Sequence, residues 1–167
     1  MVILRKRVAG LSPSTLERFV RRARQAVRLR DNVNVLLTSS RDLRALNRRF
    51  CGKDKSTDVL SFPSTPAMGG PGRRVAGELA ISLDIARENA SHLGHSLADE
   101  VKILVLHGIL HLAGFDHERD NGEMAIEEAR LRQKLKLEVG LIERSRGAGF
   151  RPSNRRRVHP PAGRRTA

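Results

Sequence analysis

The sequence contains no tryptophan and no tyrosine, a single cysteine, and no apolar run of bilayer length. Each absence excludes something. A membrane span needs roughly 20 consecutive apolar residues, so no membrane partner is expected. One cysteine, Cys51, rules out an internal disulfide and fits a reducing compartment, the cytoplasm. The first seven residues offer only Val2 to Leu4 before a basic cluster, too little for the apolar region of an export signal. The five phenylalanines (19, 50, 62, 115 and 150) are scattered along the chain. Stacking platforms for single strands are therefore not expected, and any nucleic acid would be held through its phosphates and shape.

Acidic residues are also scarce relative to basic ones, 18 against 32, for a net charge of +14. Eight arginines and no acid fall between Arg144 and the C-terminus, which leaves +6 on residues 1–143. A basic body with a more basic tail favours a polyanionic partner, nucleic acid before membrane. The Arg, Pro, Gly and Ser of residues 144–167 cannot bury enough apolar surface to order themselves, so a disordered tail is expected there. Residues 1–143 suffice for one domain.

Hydrophobic periodicity and turn residues predict strands at Val2–Arg5, Asn32–Thr38, Val59–Phe62 and Ala76–Leu83. Helices are predicted from Ser12-Pro13 to about Leu29, from Arg41 to about Arg49, from an Asp84 cap to Leu93, from a Ser96 cap to about Ala113, and over Asn121–Leu137. The segment 51–57 reads as a turn, and 63–74 as a Pro/Gly/Ser-rich excursion. Strands and helices mix without regular alternation, which predicts a single α+β domain: a small mixed sheet packed with helices.

The chemistry concentrates in residues 107–117. His107 and His111 stand four apart on a predicted helix and so share one face. Gly114 can take the left-handed conformation that ends a helix, after which His117 can swing back as a third ligand. Three neutral imidazoles with an open fourth position make a catalytic zinc-type site. The spacing equals that of the extended metzincin peptidase signature, but the residue after the first histidine, a glutamate general base in those enzymes, is here Gly108. A peptidase would lack its base. A phosphodiester can still be hydrolysed by water activated at a metal that also offsets charge on the phosphate oxygens. Asp116 is a candidate base or orienter of a ligand histidine, or simply a helix-end cap. Glu100 lies about 10 Å up the same helix, too far to ligate the ion. His92 and His95 flank a helix break and are expected to face solvent, and His159 lies in the tail.

With those residues in view, the chain resembles the YbeY family of bacterial endoribonucleases. The matching blocks are Leu46-Asn47, Gly52-Lys-Asp-Lys-Ser-Thr-Asp-Val-Leu-Ser-Phe-Pro63, Gly77-Glu-Leu-Ala-Ile-Ser82, and His107–His117 with Met124 downstream. Over about residues 1–140 the resemblance implies one α+β domain and one zinc ion at the three histidines. It also implies single-strand-directed cleavage in maturation of the 3′ end of 16S ribosomal RNA, a role in ribosome quality control, and the small ribosomal subunit as partner. The family usually carries an arginine after the aromatic that is Phe50 here, and a proline at Ser56. Cys51 replaces that arginine, so Arg48, Arg49, Lys53 and Lys55 are the candidate RNA-binding residues. The alternative is a ribosome-assembly factor whose zinc is mainly structural.

Overall fold

Between Val101 and Leu112 only Lys102, His107 and His111 are polar, and a helix so apolar has to be enclosed. The computed structural model encloses it. Residues 1–4, 8–64, 75–117 and 119–137 are described; the expected tail at 144–167 and most of the excursion at 63–74 lie outside them. In chain order the elements are β1 (Val2–Leu4), α1 (Pro13–Ala26), β2 (Asn32–Thr38), α2 (Ser40–Cys51), β3 (Val59–Pro63), β4 (Val75–Ser82), α3 (Leu83–Leu93), α4 (Leu97–Leu112) and α5 (Glu123–Leu135).

The strands form one mixed sheet in the order β1-β2-β4-β3. β2 runs parallel to β1 and β4, whereas β3 pairs antiparallel with β4 and forms one edge. Period-two alternation sends Val33, Val35 and Leu37 of β2, with Leu79 and Ile81 of β4, into the core. α4 lies on β3 and β4 and is flanked by α1, α3 and α5. It is the one helix buried nearly all round, with Val101 and the run Ile103–Leu110 all inside. The expected single domain, a small mixed sheet packed with helices, is what the chain adopts.

Helix ends follow side-chain chemistry. Ser12, Ser39, Ser82 and Ser96 each accept a backbone N–H at the start of a helix, and Gly52 and Gly94 take positive φ at the ends of α2 and α3. Two of the sequence expectations need correction. Asp84 does not cap α3: Ser82 does, and the Asp84 carboxylate accepts from the Ser40 backbone N–H, tying α2 to α3. Cys51 is not in a turn but is the last residue of α2, because the left-handed Gly52 marks the true end.

The sheet meets α4 closely enough to exclude side chains. A Cβ added at Gly77 would stand 2.5 Å from the Phe62 carbonyl oxygen and 2.5 Å from Leu112 Cδ2. The carbonyl belongs to the β3–β4 ladder and cannot retreat. Gly77→Ala should therefore cost about 1–3 kcal/mol by overpacking, read as a lowered midpoint in urea or thermal unfolding. An unchanged midpoint would contradict this packing of β3, β4 and α4.

Candidate metal centre

One face of α4 carries His107 and His111 one turn apart, as the spacing requires. The helix ends at Leu112, and Gly114 at φ 97° reverses the chain. The loop then returns His117 to the same point. One nitrogen from each of the three imidazoles lies within 4.8 Å of the others, and among the described residues no other such group of His, Cys, Asp or Glu occurs. The ring centroids stand 4.8, 5.4 and 5.3 Å apart. His107 is buried, His111 half-buried and His117 exposed, so the cluster opens to solvent on the loop side.

What orients the rings is decided by their other nitrogens. His107 Nδ1 donates to Glu128 Oε2 at 3.0 Å, and Glu128, on α5, is itself buried. His111 Nδ1 donates to the Phe115 carbonyl oxygen at 3.0 Å. With both Nδ1–H groups spent on acceptors, each neutral imidazole turns its Nε2 lone pair inward. These two Nε2 atoms face each other at 3.1 Å. Two lone pairs at that distance repel unless they share a proton or a metal ion. The residues present therefore fit a divalent metal ion, with His107, His111 and His117 as its protein ligands.

Electrostatics keep His111 ready to ligate. Burial first, then repulsion from His107 and His117, lowers its pKa below the ordinary value of 6.5, against smaller opposing pulls from the Phe115 carbonyl and the Asp116 charge.

Asp116 is half-buried on the returning loop, with Oδ2 3.4 Å from Arg119 Nε. Its backbone carbonyl accepts from the Arg119 and Asp120 N–H groups, so it also builds the turn. Gly108 has a structural reason to be glycine. A Cβ there would stand 2.7 Å from Leu79 Cδ2 and 3.2 Å from Ser61 Oγ, so position 108 faces the sheet and has no room for a glutamate side chain.

Arg48 and Arg49 lie exposed on the last turn of α2, and Lys53 and Lys55 are exposed in the loop that follows. Asn47 pins that loop: its Nδ2 donates to the Lys55 carbonyl, and its own carbonyl accepts from the Lys53 N–H. The loop feeds β3, whose Ser61 Oγ donates to the Gly108 carbonyl of α4 at 3.4 Å. The basic cluster is thus linked to α4 through the edge strand.

Two findings differ from the sequence expectations. His95 does not face solvent: its Nε2 lies 2.7 Å from Glu100 Oε2, with the two side chains 7% and 0% exposed. The buried acid of α4 is held by the residue just before the helix cap. The second finding is Glu128, which spacing arguments missed. Its signal was a carboxylate on an otherwise apolar stripe, Met124, Glu128, Leu131 and Leu135, all of which are buried.

Glu128→Gln should lower metal affinity about 10- to 100-fold while leaving the fold intact, measured by competition with a chromophoric chelator. Undiminished affinity would deny Glu128 its orienting role. The depressed pKa of His111 has a second consequence. The unfolded chain binds more protons there, so in metal-free protein this group's contribution is complete above pH 6.5 and is lost as pH falls from 6.5 through the lowered folded value. Urea unfolding of chelated protein should show that loss, and His111→Gln should show less of it; identical pH profiles would exclude the effect.

The sequence profile of a known family, described as Endoribonuclease YbeY, matches residues 5–136. A relative from Koribacter versatilis, named Endoribonuclease YbeY, is 57% identical over 145 residues, covering 87% of this chain and 91% of its own. Another of that name, from Solibacter usitatus, is 50% identical over 143 residues, covering 86% and 92%. A Thermotoga maritima protein solved in solution matches the fold with a TM-score of 0.53 and 28% identity, over 93% of this chain and all of that one. With a matching profile over most of its length and relatives this similar, the chain belongs to the YbeY family.

Proposed function

We propose that this protein is a zinc-dependent, single-strand-directed endoribonuclease that acts in maturation of the 3′ end of 16S ribosomal RNA and in ribosome quality control. The observation that carries the metal-dependent chemistry is the pair of inward-facing Nε2 atoms 3.1 Å apart, with a third imidazole beside them. The RNA substrate rests on the family, whose members bear the name endoribonuclease. The net charge of +14 suits that substrate and the small ribosomal subunit as partner. Among the described residues no helix is long and apolar enough to cross a membrane.

A bound zinc ion would supply charge stabilisation at a phosphodiester oxygen and acidify water. The chain's own residues do the rest. His107 and His111 would hold the ion from a rigid helix, and Glu128 and the Phe115 carbonyl fix their tautomers. His117 completes the set from an exposed loop, which supports an open, catalytic site over a closed, structural one. Asp116, on that loop, takes a proton from the water that attacks phosphorus and returns it to the leaving oxygen as the old P–O bond breaks. Arg48, Arg49, Lys53 and Lys55 bind phosphates that flank the scissile bond. A peptidase reading is not supported, because position 108 cannot hold the glutamate base.

The test is metal analysis combined with cleavage of single-stranded RNA. About one divalent ion per chain is expected, absent after His107→Ala with His111→Ala, and cleavage should disappear in that variant and on chelation. Stoichiometric metal in the double variant would sink the ligand assignment. Full cleavage after metal removal would sink the proposed chemistry.

A further inference from the structure

Phe50 is the one aromatic among the strongly exposed large hydrophobic side chains of the described residues, at 61% exposure. It is not a loose surface residue. Its ring meets Phe62 edge-on at 5.6 Å and 67°, and the Arg49 guanidinium lies 5.2 Å from its centroid. The two phenylalanines are twelve positions apart in sequence, and only the packing of the end of α2 against β3 brings them together. Scattered phenylalanines give no expectation of a stacking platform, but with this contact in place we propose that Phe50, backed by Phe62 and Arg49, is a stacking site for an unpaired base of single-stranded RNA.

Three observations favour that ligand over a plain apolar partner. Four exposed cations, Arg48, Arg49, Lys53 and Lys55, lie within five positions of Phe50 along the chain, and the Arg49 guanidinium stands against the ring. The acid of the same segment, Asp54, has its two oxygens engaged by Arg44 at 2.7 and 2.9 Å, and its pull on Arg48 is a lesser interaction. A ligand that offers flat apolar faces linked by negative charges matches this combination, and unpaired RNA does so where a duplex hides its bases. The third observation is placement. Ser61 of the edge strand touches α4 at Gly108, next to His107, and Phe62 follows with its side chain on the opposite face of the sheet. The edge strand thus links the ring to the helix that carries two of the imidazoles. The site rests on the reading that the substrate is RNA and deepens it, because stacking gives the single-strand preference a physical cause.

Phe50→Trp supplies the test, since the chain has no other tryptophan. The probes for the full-length, metal-loaded protein are a short oligoribonucleotide, the duplex of the same sequence, and inorganic polyphosphate. Single-stranded RNA should quench the indole, the duplex should do so much less, and polyphosphate should not. Phe50→Ala should weaken single-strand binding about 5- to 100-fold while polyphosphate binding is unchanged, and Phe50→Tyr should restore it. RNA bound equally well by Phe50→Ala, or equal quenching by both RNA forms, would overturn the stacking site and leave the nuclease reading standing. Failure of the unaltered protein to bind RNA at all would overturn both.

Discussion

Burial of α4 is the constraint from which the rest of this domain follows. A helix with Val101 and Ile103–Leu110 all inside needs cover on every side, and the sheet, α1, α3 and α5 provide it. Close approach to the sheet requires glycine at 77 and 108. Enclosure also fixes the two histidines. Side chains on a fully packed helix have few rotamers left, so His107 and His111 are aimed before any ligand arrives. The polar groups that this burial would strand are all paired: His107 with Glu128, Glu100 with His95, and His111 with the Phe115 carbonyl.

The same enclosure separates two kinds of electrostatics. Inside, a few carboxylates work at short range on single imidazoles, where low polarisability makes each contact count. Outside, the exposed arginines and lysines at the end of α2 act collectively and are screened by salt. The edge strand β3 is the hinge between these regimes. One of its faces touches α4 through Ser61, and the next residue, Phe62, meets the exposed ring of Phe50.

How much of this was legible in the sequence depends on how local each signal is. The three histidines and Gly114 span eleven residues, so spacing alone brings them together, and Gly114 does take positive φ. The strands and helices were readable from alternation and caps, with errors where two polar residues compete: Ser82 and Asp84 both suit a helix start, and tertiary contact with Ser40 draws Asp84 away. Burial of His95 was hidden because an isolated histidine beside a glycine reads as surface, while its partner Glu100 lies in the next helix. Glu128 acts on a histidine 21 residues away, and Phe50 meets Phe62 across an element boundary; neither pairing has a periodic signature. The reason for glycine at 108 was half visible: the missing base was evident, but the crowding by Leu79 was not.

The donor set is split unevenly between two supports. His107 and His111 sit on a helix locked in the core, whereas His117 hangs on a loop beyond a glycine pivot, at an exposed position. Such a two-plus-one arrangement separates where an ion binds from how fast it leaves. The helix pair would define the location, because α4 is held by its packing in the core and His107 by its bond to Glu128. Departure would begin with release of His117 by the loop beyond Gly114, a local opening cheaper than unfolding the domain. An ion held there would exchange while the protein stays folded, with its residence time set by the loop and not by the core.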